Sequence, residues 1–236
     1  MNWQKRECPI KMEITPYGDG WEDIDLEIQG DHHWWSVSGS LGDGFGALVE
    51  SLYCLYPEHY REFDRCRWLK ERAELTGERK NGKWVDVRPV KPGERCTYFT
   101  VPVQTRFLWD EEGCGVRWAL SRPANDKHEF PLSVEIEEFS DYGARAKVTG
   151  RYRYVVPYAD MCHAVGKALT AAMKTHGFTG FEASVWESDI NVRHLCFLKA
   201  CGMGRPDFFM PVYGEEQGSG AKTSFADEME LLAFDM

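Results

Sequence analysis

The chain has 236 residues, 43% hydrophobic and 14% aromatic, with a formal net charge of −10. That is too apolar for a disordered segment and long enough to bury a core without disulfides or metal. No run reaches the roughly 18 uninterrupted apolar residues of a membrane span, and the acidity repels a nucleic-acid backbone while favouring a basic partner. The sequence therefore predicts a protein partner, no nucleic acid and no membrane.

The charge is unevenly spread. Residues 1–55 hold ten acids and three bases, whereas residues 56–95 hold eight acids and eleven bases. The N-terminus has no apolar stretch of the kind a secretory signal needs, which predicts a cytoplasmic protein. Its eight cysteines are accordingly expected as reduced thiols. None forms a C-x-x-C pair, and Cys196 and Cys201 lack a histidine at finger-like spacing. Neither a metal nor another cofactor is expected.

In chain order, Ile24, Leu26 and Ile28 alternate with Asp25, Glu27 and Gln29, the period of a half-buried strand. A turn at Gly30–His33 leads to a second strand over Trp34–Leu41. Asp43 is placed to cap a helix carrying Leu48 and Leu52, which Pro57 ends. Residues 58–75 carry Tyr60, Phe63, Trp68 and Leu69 at a helical spacing, predicting a second helix and a helical insertion over 58–95. Asn81-Gly82 is a hairpin signal.

From Trp84 to Val156 the period falls to two, in runs separated by turn residues: Phe99/Val101/Val103, Val116/Trp118/Leu120, Leu132/Val134/Ile136 and Tyr152/Tyr154 among them. A helix from Tyr158 to about His176 follows, with Gly177 to stop it, then a shorter one over Asn191–Cys201. Residues 214–224 suit a flexible loop. This order predicts one α+β domain over 1–236, an antiparallel meander of five to seven strands with two to four helices packed on one face.

No constellation for catalysis stands out. Cys162 and His163 are adjacent on a helix and diverge by about 100°, so they cannot act as nucleophile and base; Cys162 is expected in the core and His163 at the surface. His32 and His33 are expected in a turn. Glu135 and Glu137 share one strand face and alternate with Val134 and Ile136, hence toward water. Trp109 and Trp118 are expected in the sheet core. The glycines of residues 38–46 match no phosphate loop, and Asp43 would repel a phosphate there.

Three segments together resemble immunity proteins of bacterial polymorphic toxin systems. They are Ser38-Gly39-Ser40-Leu41-Gly42-Asp43 with Ala47, Leu48 and Leu52; Trp109-Asp110-Glu111-Glu112-Gly113 with Arg117, Trp118, Leu120, Ile136 and Glu138-Phe139; and Pro157-Tyr158-Ala159 opening a helix that ends at Gly177. The resemblance implies a non-enzymatic binding protein that occludes the active site of a basic toxin. Asp110, Glu111 and Glu112, with Glu135 and Glu137, are the expected partner-binding acids, exposed aromatics the anchors. The alternative is a small-molecule-binding protein or hydrolase whose site is assembled from distant residues such as His59, His163 or His194 and a carboxylate. A continuous acidic and aromatic convex surface favours the first, a cleft with convergent polar groups the second.

Overall fold

The computed structural model describes residues 6–18, 20–38, 44–57, 66–96, 100–111, 113–141, 145–184, 190–206, 211–214, 218–221 and 224–236. Strands β1 (Lys11–Gly18), β2 (Trp21–Ile28) and β3 (Asp31–Ser38) form a three-stranded antiparallel sheet in that order. Ile24, Leu26 and Ile28 face inward along β2, as their alternation predicts. The β2–β3 turn is Gln29-Gly30, with φ of 52° and 90°, the left-handed pair of a two-residue hairpin loop. His32 and His33, expected in the turn, therefore belong to β3 and point to opposite faces. The edge strand β1 is an addition to the expected set. Its pairing with β2 shifts register between Pro16 and Gly18, an irregularity that hides its alternation of Met12 and Ile14 with Glu13 and Thr15.

Helix α1 (Gly44–Leu55) is where its apolar spacing predicts; Asp43, its expected cap, lies outside the described residues. The expected helix over 58–75 is corrected. Residues 58–65 lie outside the description, but Leu69–Lys80 is strand β4. The helical spacing of Trp68 and Leu69 is overridden because β4 pairs on both sides, with β5 (Lys83–Pro89) across the Asn81-Gly82 turn and with β6 (Thr100–Asp110). Ladder hydrogen bonds on two edges outweigh a propensity of tenths of a kcal/mol per residue. The segment that reads as a helical insertion thus supplies two strands of a six-stranded antiparallel sheet, ordered β5-β4-β6-β7-β8-β9 with β7 (Cys114–Ser121), β8 (Pro131–Ser140) and β9 (Lys147–Pro157).

Helix α2 (Tyr158–Ser184) breaks its helical geometry at Gly177, φ 71° and ψ 165°, the predicted stop, before a further short helical stretch. Helix α3 (Val192–Gly202) is capped by the Asn191 side chain, which accepts from the backbone N–H groups of Arg193 and His194. The segment read as a flexible loop contains β11 (Gly218–Ala221), paired with β10 (Pro211–Gly214). Helix α4 (Phe225–Ala233) opens on a reciprocal Ser224–Asp227 capping box. The buried Lys199 of α3 donates from Nζ to the carbonyls of Leu232 and Phe234, at 3.1 and 2.9 Å. The α+β class is as expected.

Helix α1 packs on β6 and β7, and α2 on β1 and β9. One continuous apolar cluster joins the inner faces of both sheets to these helices. At its centre Trp35 of β3 meets Trp109 of β6 and Trp118 of β7 edge-on, ring centroids 6.0 and 5.8 Å away. Both sheet tryptophans are fully buried, as expected. Polar contacts fasten the same junction. His33 Nε2 lies 2.7 Å from the Tyr154 hydroxyl, which donates to Asp31 Oδ2 at 2.9 Å. Tyr154 therefore accepts from His33, which fixes the imidazole proton on Nε2. Trp35 Nε1 donates to Glu138 at 2.8 Å, and Gln29 Nε2 to the Val155 carbonyl at 2.8 Å. The free edge of the small sheet is thereby tied to β8 and β9.

Candidate protein-binding surface

Because β1–β3 alternate with period two, every second side chain is thrown outward, and pairing sets them in rows. Across the strands the rows read Lys11–Glu27–His32, Glu13–Asp25–Trp34 and Thr15–Asp23–Ser36. Four carboxylates thus share one face with a single lysine. Glu13 stands directly opposite Asp25, an arrangement that destabilises an antiparallel pair. Partial compensation is present: Lys11 Nζ lies 2.7 Å from Glu27, and His32 Nε2 lies 2.9 Å from Asp25. Neither reaches Glu13, which has no ion pair among the described residues.

Two large aromatics rise from this acidic face, Trp34 at 58% and Tyr17 at 57% exposed. The Tyr17 hydroxyl sits beside Asp23, whose carboxylate raises the phenol's pKa and keeps it protonated. Trp34 stands on a strand immobilised by its neighbours His33 and Trp35, both buried and bonded to β9 and β8. An aromatic anchor held on a rigid strand loses little freedom on binding.

The acids read from the sequence as partner-binding are arranged differently. Glu112 lies outside the described residues. Asp110 ends β6, and Glu111 turns back on the hairpin, accepting from Cys114 Sγ at 2.9 Å. Burial raises the Glu111 carboxyl pKa, and the bond to Glu111 pushes the Cys114 thiol to about 11. Glu135 and Glu137 face outward as predicted, but each is matched: Glu135 pairs with Arg153 at 3.2 Å, and Glu137 lies between Arg117 and Arg151. With Arg106 in the same rows, these rows of β6–β9 hold more arginine than glutamate. The structure thus separates the hairpin acids from a second, only partly compensated acidic face that the site reading missed. The signal was present in Asp23, Asp25 and Glu27, read only as the polar half of a strand.

Two of the three histidines considered for catalysis have structural partners. His163, expected at the surface, is buried: a Cβ added at Gly202 would come within 2.6 Å of its Cα, and its Nδ1 lies 3.4 Å from the Gly202 carbonyl. It is the contact at which α3 crosses α2. His194 stacks on Tyr53 at 3.8 Å, and His59 is outside the described residues. An open groove of about 770 Å³ beside the N-terminal segment is lined by Arg6, Lys11, His163 and Lys167, among others.

Glu22 is a functional-looking group that sequence reading passed over, although its even number puts it in phase with Ile24 and Leu26. Its side chain is 0% exposed, neither carboxylate oxygen has a hydrogen-bond partner among the described residues, and burial pushes its pKa to about 8. It lies against Gly44, whose carbonyl accepts from Trp109 Nε1 at 2.7 Å. Among the described residues, one group of side chains has metal-ligating atoms close together, Glu50, Cys54 and Cys66. Among the described residues no helix is long and apolar enough to cross a membrane. Comparison with protein-family models, curated proteins and solved structures returns no match.

Proposed function

We propose that this chain is a non-enzymatic binding protein whose β1–β3 face docks onto the basic surface of a protein partner, in the manner of an immunity protein occluding a toxin. One observation carries the reading. Four carboxylates, two of them directly opposed across strands, surround two exposed aromatics on a rigid sheet. Opposed like charges lower the stability of the free protein, and a cationic partner relieves that repulsion when it binds. The acids supply steering and specificity; Trp34 and Tyr17 supply the apolar contact in which binding energy concentrates.

Photo-crosslinking from position 34, compared with position 155 on the outer face of the large sheet, tests this reading, because both side chains are exposed. The expected result is a crosslinked protein of basic isoelectric point from position 34 alone, lost at high salt and in Asp25→Lys. Equal capture from both positions, or a partner insensitive to salt, overturns it. The groove lined by Arg6, Glu7, Lys11, His163 and Lys167 favours a second reading, a site for a small anion centred on Lys167, since Arg6 and Lys11 pair with Asp160 and Glu27. A thermal shift with small anions that disappears in Lys167→Ala, without position-34 crosslinks, would put that reading first.

A further inference from the structure

We infer that Glu50, Cys54 and Cys66 form a binding site for a soft divalent metal ion, with zinc the best match, on three protein donors and one water. Glu50 and Cys54 are four residues apart on α1 and project from one helix face. Cys66 comes from the other side, just before β4, held in a turn in which its carbonyl accepts from the Leu69 N–H at 3.3 Å. The three donor atoms lie within 4.8 Å of one another. Zinc–sulfur bonds of about 2.3 Å and zinc–oxygen bonds of about 2.1 Å set tetrahedral donors roughly 3.5–3.8 Å apart. The donors are thus within about 1 Å of tetrahedral spacing, a gap on the scale of side-chain rotation.

The donor set selects the ion. Two thiols with one carboxylate suit zinc and its neighbours in softness and disfavour magnesium or calcium, which take oxygen ligands throughout. Cys54 and Cys66 are buried in the main apolar cluster, and Glu50 reaches the margin of solvent. This gives the ion a dry side and an open side, as a three-donor site with a bound water requires. The charge also balances. Two thiolates and a carboxylate against a divalent ion leave one negative charge, and the Arg67 guanidinium lies 3.9 Å from Glu50 to offset it. Binding converts two thiols to thiolates and releases two protons per ion. A search for C-x-x-C spacing misses this site because its cysteines meet only through the packing of α1 against the start of β4.

The experiment is a cobalt(II) titration of the reduced full-length chain. The expected result is one cobalt per chain, a thiolate-to-cobalt charge-transfer band and the intense visible bands of tetrahedral cobalt, all erased by one equivalent of zinc. Cys54→Ser and Cys66→Ser lose the charge-transfer band, while Cys114→Ser keeps it. Weak octahedral bands in the folded wild type, or charge-transfer bands unchanged in both serine variants, overturn the proposal. Should those variants fail to fold, alkylation of the wild type decides: zinc selectively shields Cys54 and Cys66 if the site exists, and equal labelling with and without zinc overturns it.

Discussion

The two outer sheet faces are built on the same period of two and solve the problem of surface charge in opposite ways. On the six-stranded sheet, Glu137 sits between Arg117 and Arg151 and Glu135 against Arg153, so that acids meet bases along each row. On the three-stranded sheet, Glu13 faces Asp25, with Asp23 and Glu27 beside it on β2. A face serving only as a solvent boundary gains from the first arrangement, since cross-strand pairs of opposite charge contribute roughly 0.2–1 kcal/mol. The second gives up that gain in the Glu13–Asp25 row and keeps it where Lys11 meets Glu27. An acidic patch around exposed aromatics, with Glu13 set against Asp25, therefore fits the proposed use of the small sheet as the binding face and of the large one as scaffold.

The sharpest test of that contrast uses two neighbours on β3. Trp35 points into the tryptophan cluster and Trp34 out to solvent. Trp35→Ala is expected to cost about 3–5 kcal/mol in chemical denaturation through the cavity it leaves, whereas Trp34→Ala should change stability by less than about 0.5 kcal/mol while weakening partner capture. A large loss of stability in Trp34→Ala would break the division of labour between the faces.

Next in size is a pH effect on the same small sheet. Glu22 has a folded pKa of about 8 against 4.5 for the unfolded chain. Between those values the native state holds a proton that the unfolded state has released. Stability therefore falls as pH rises through that window, at about 1.4 kcal/mol per pH unit, and levels off above pH 8. Glu22→Gln should remove this slope, measured as denaturation midpoints from pH 5 to 8. An unchanged slope would assign it to other groups.

The smallest effects come from the charges themselves. Glu137→Ala leaves the arginines on either side of it, Arg117 and Arg151, without their shared carboxylate and should cost about 1 kcal/mol. Glu13→Lys turns a like-charge row into a mixed one and should stabilise by about 0.5 kcal/mol or less. Opposite signs for these two substitutions sharpen the comparison; the same sign would erase it.

How much of this was legible depended on whether a signal was local. The alternation along β2, the Asn81-Gly82 turn and the Gly177 stop are each decided within a few residues, and they could be read directly. Strand β4 could not, because its identity is set by partners on both edges while Trp68 and Leu69 carry a helical spacing. Site residues followed the same rule. Glu135 and Glu137 were visible as outward acids, but the arginines that neutralise them come from β7 and β9, and only the register brings them together. Glu22 was legible by parity alone. The opposition of Glu13 to Asp25 required β1, whose alternation Pro16 and the register shift conceal.

That register shift has a consequence for assembly. The edge of a sheet ordinarily invites another strand, since its unpaired N–H and C=O groups are a template for addition. On β1, Pro16 offers no N–H, the ladder is out of step between Pro16 and Gly18, and α2 packs against the strand. The opposite edge, β3, is tethered by side chains to β8 and β9. Neither border is a plain template for strand addition, so under the proposed function a partner would be seated on the face of the small sheet in finite stoichiometry rather than added at its edge, where growth into a fibre would begin.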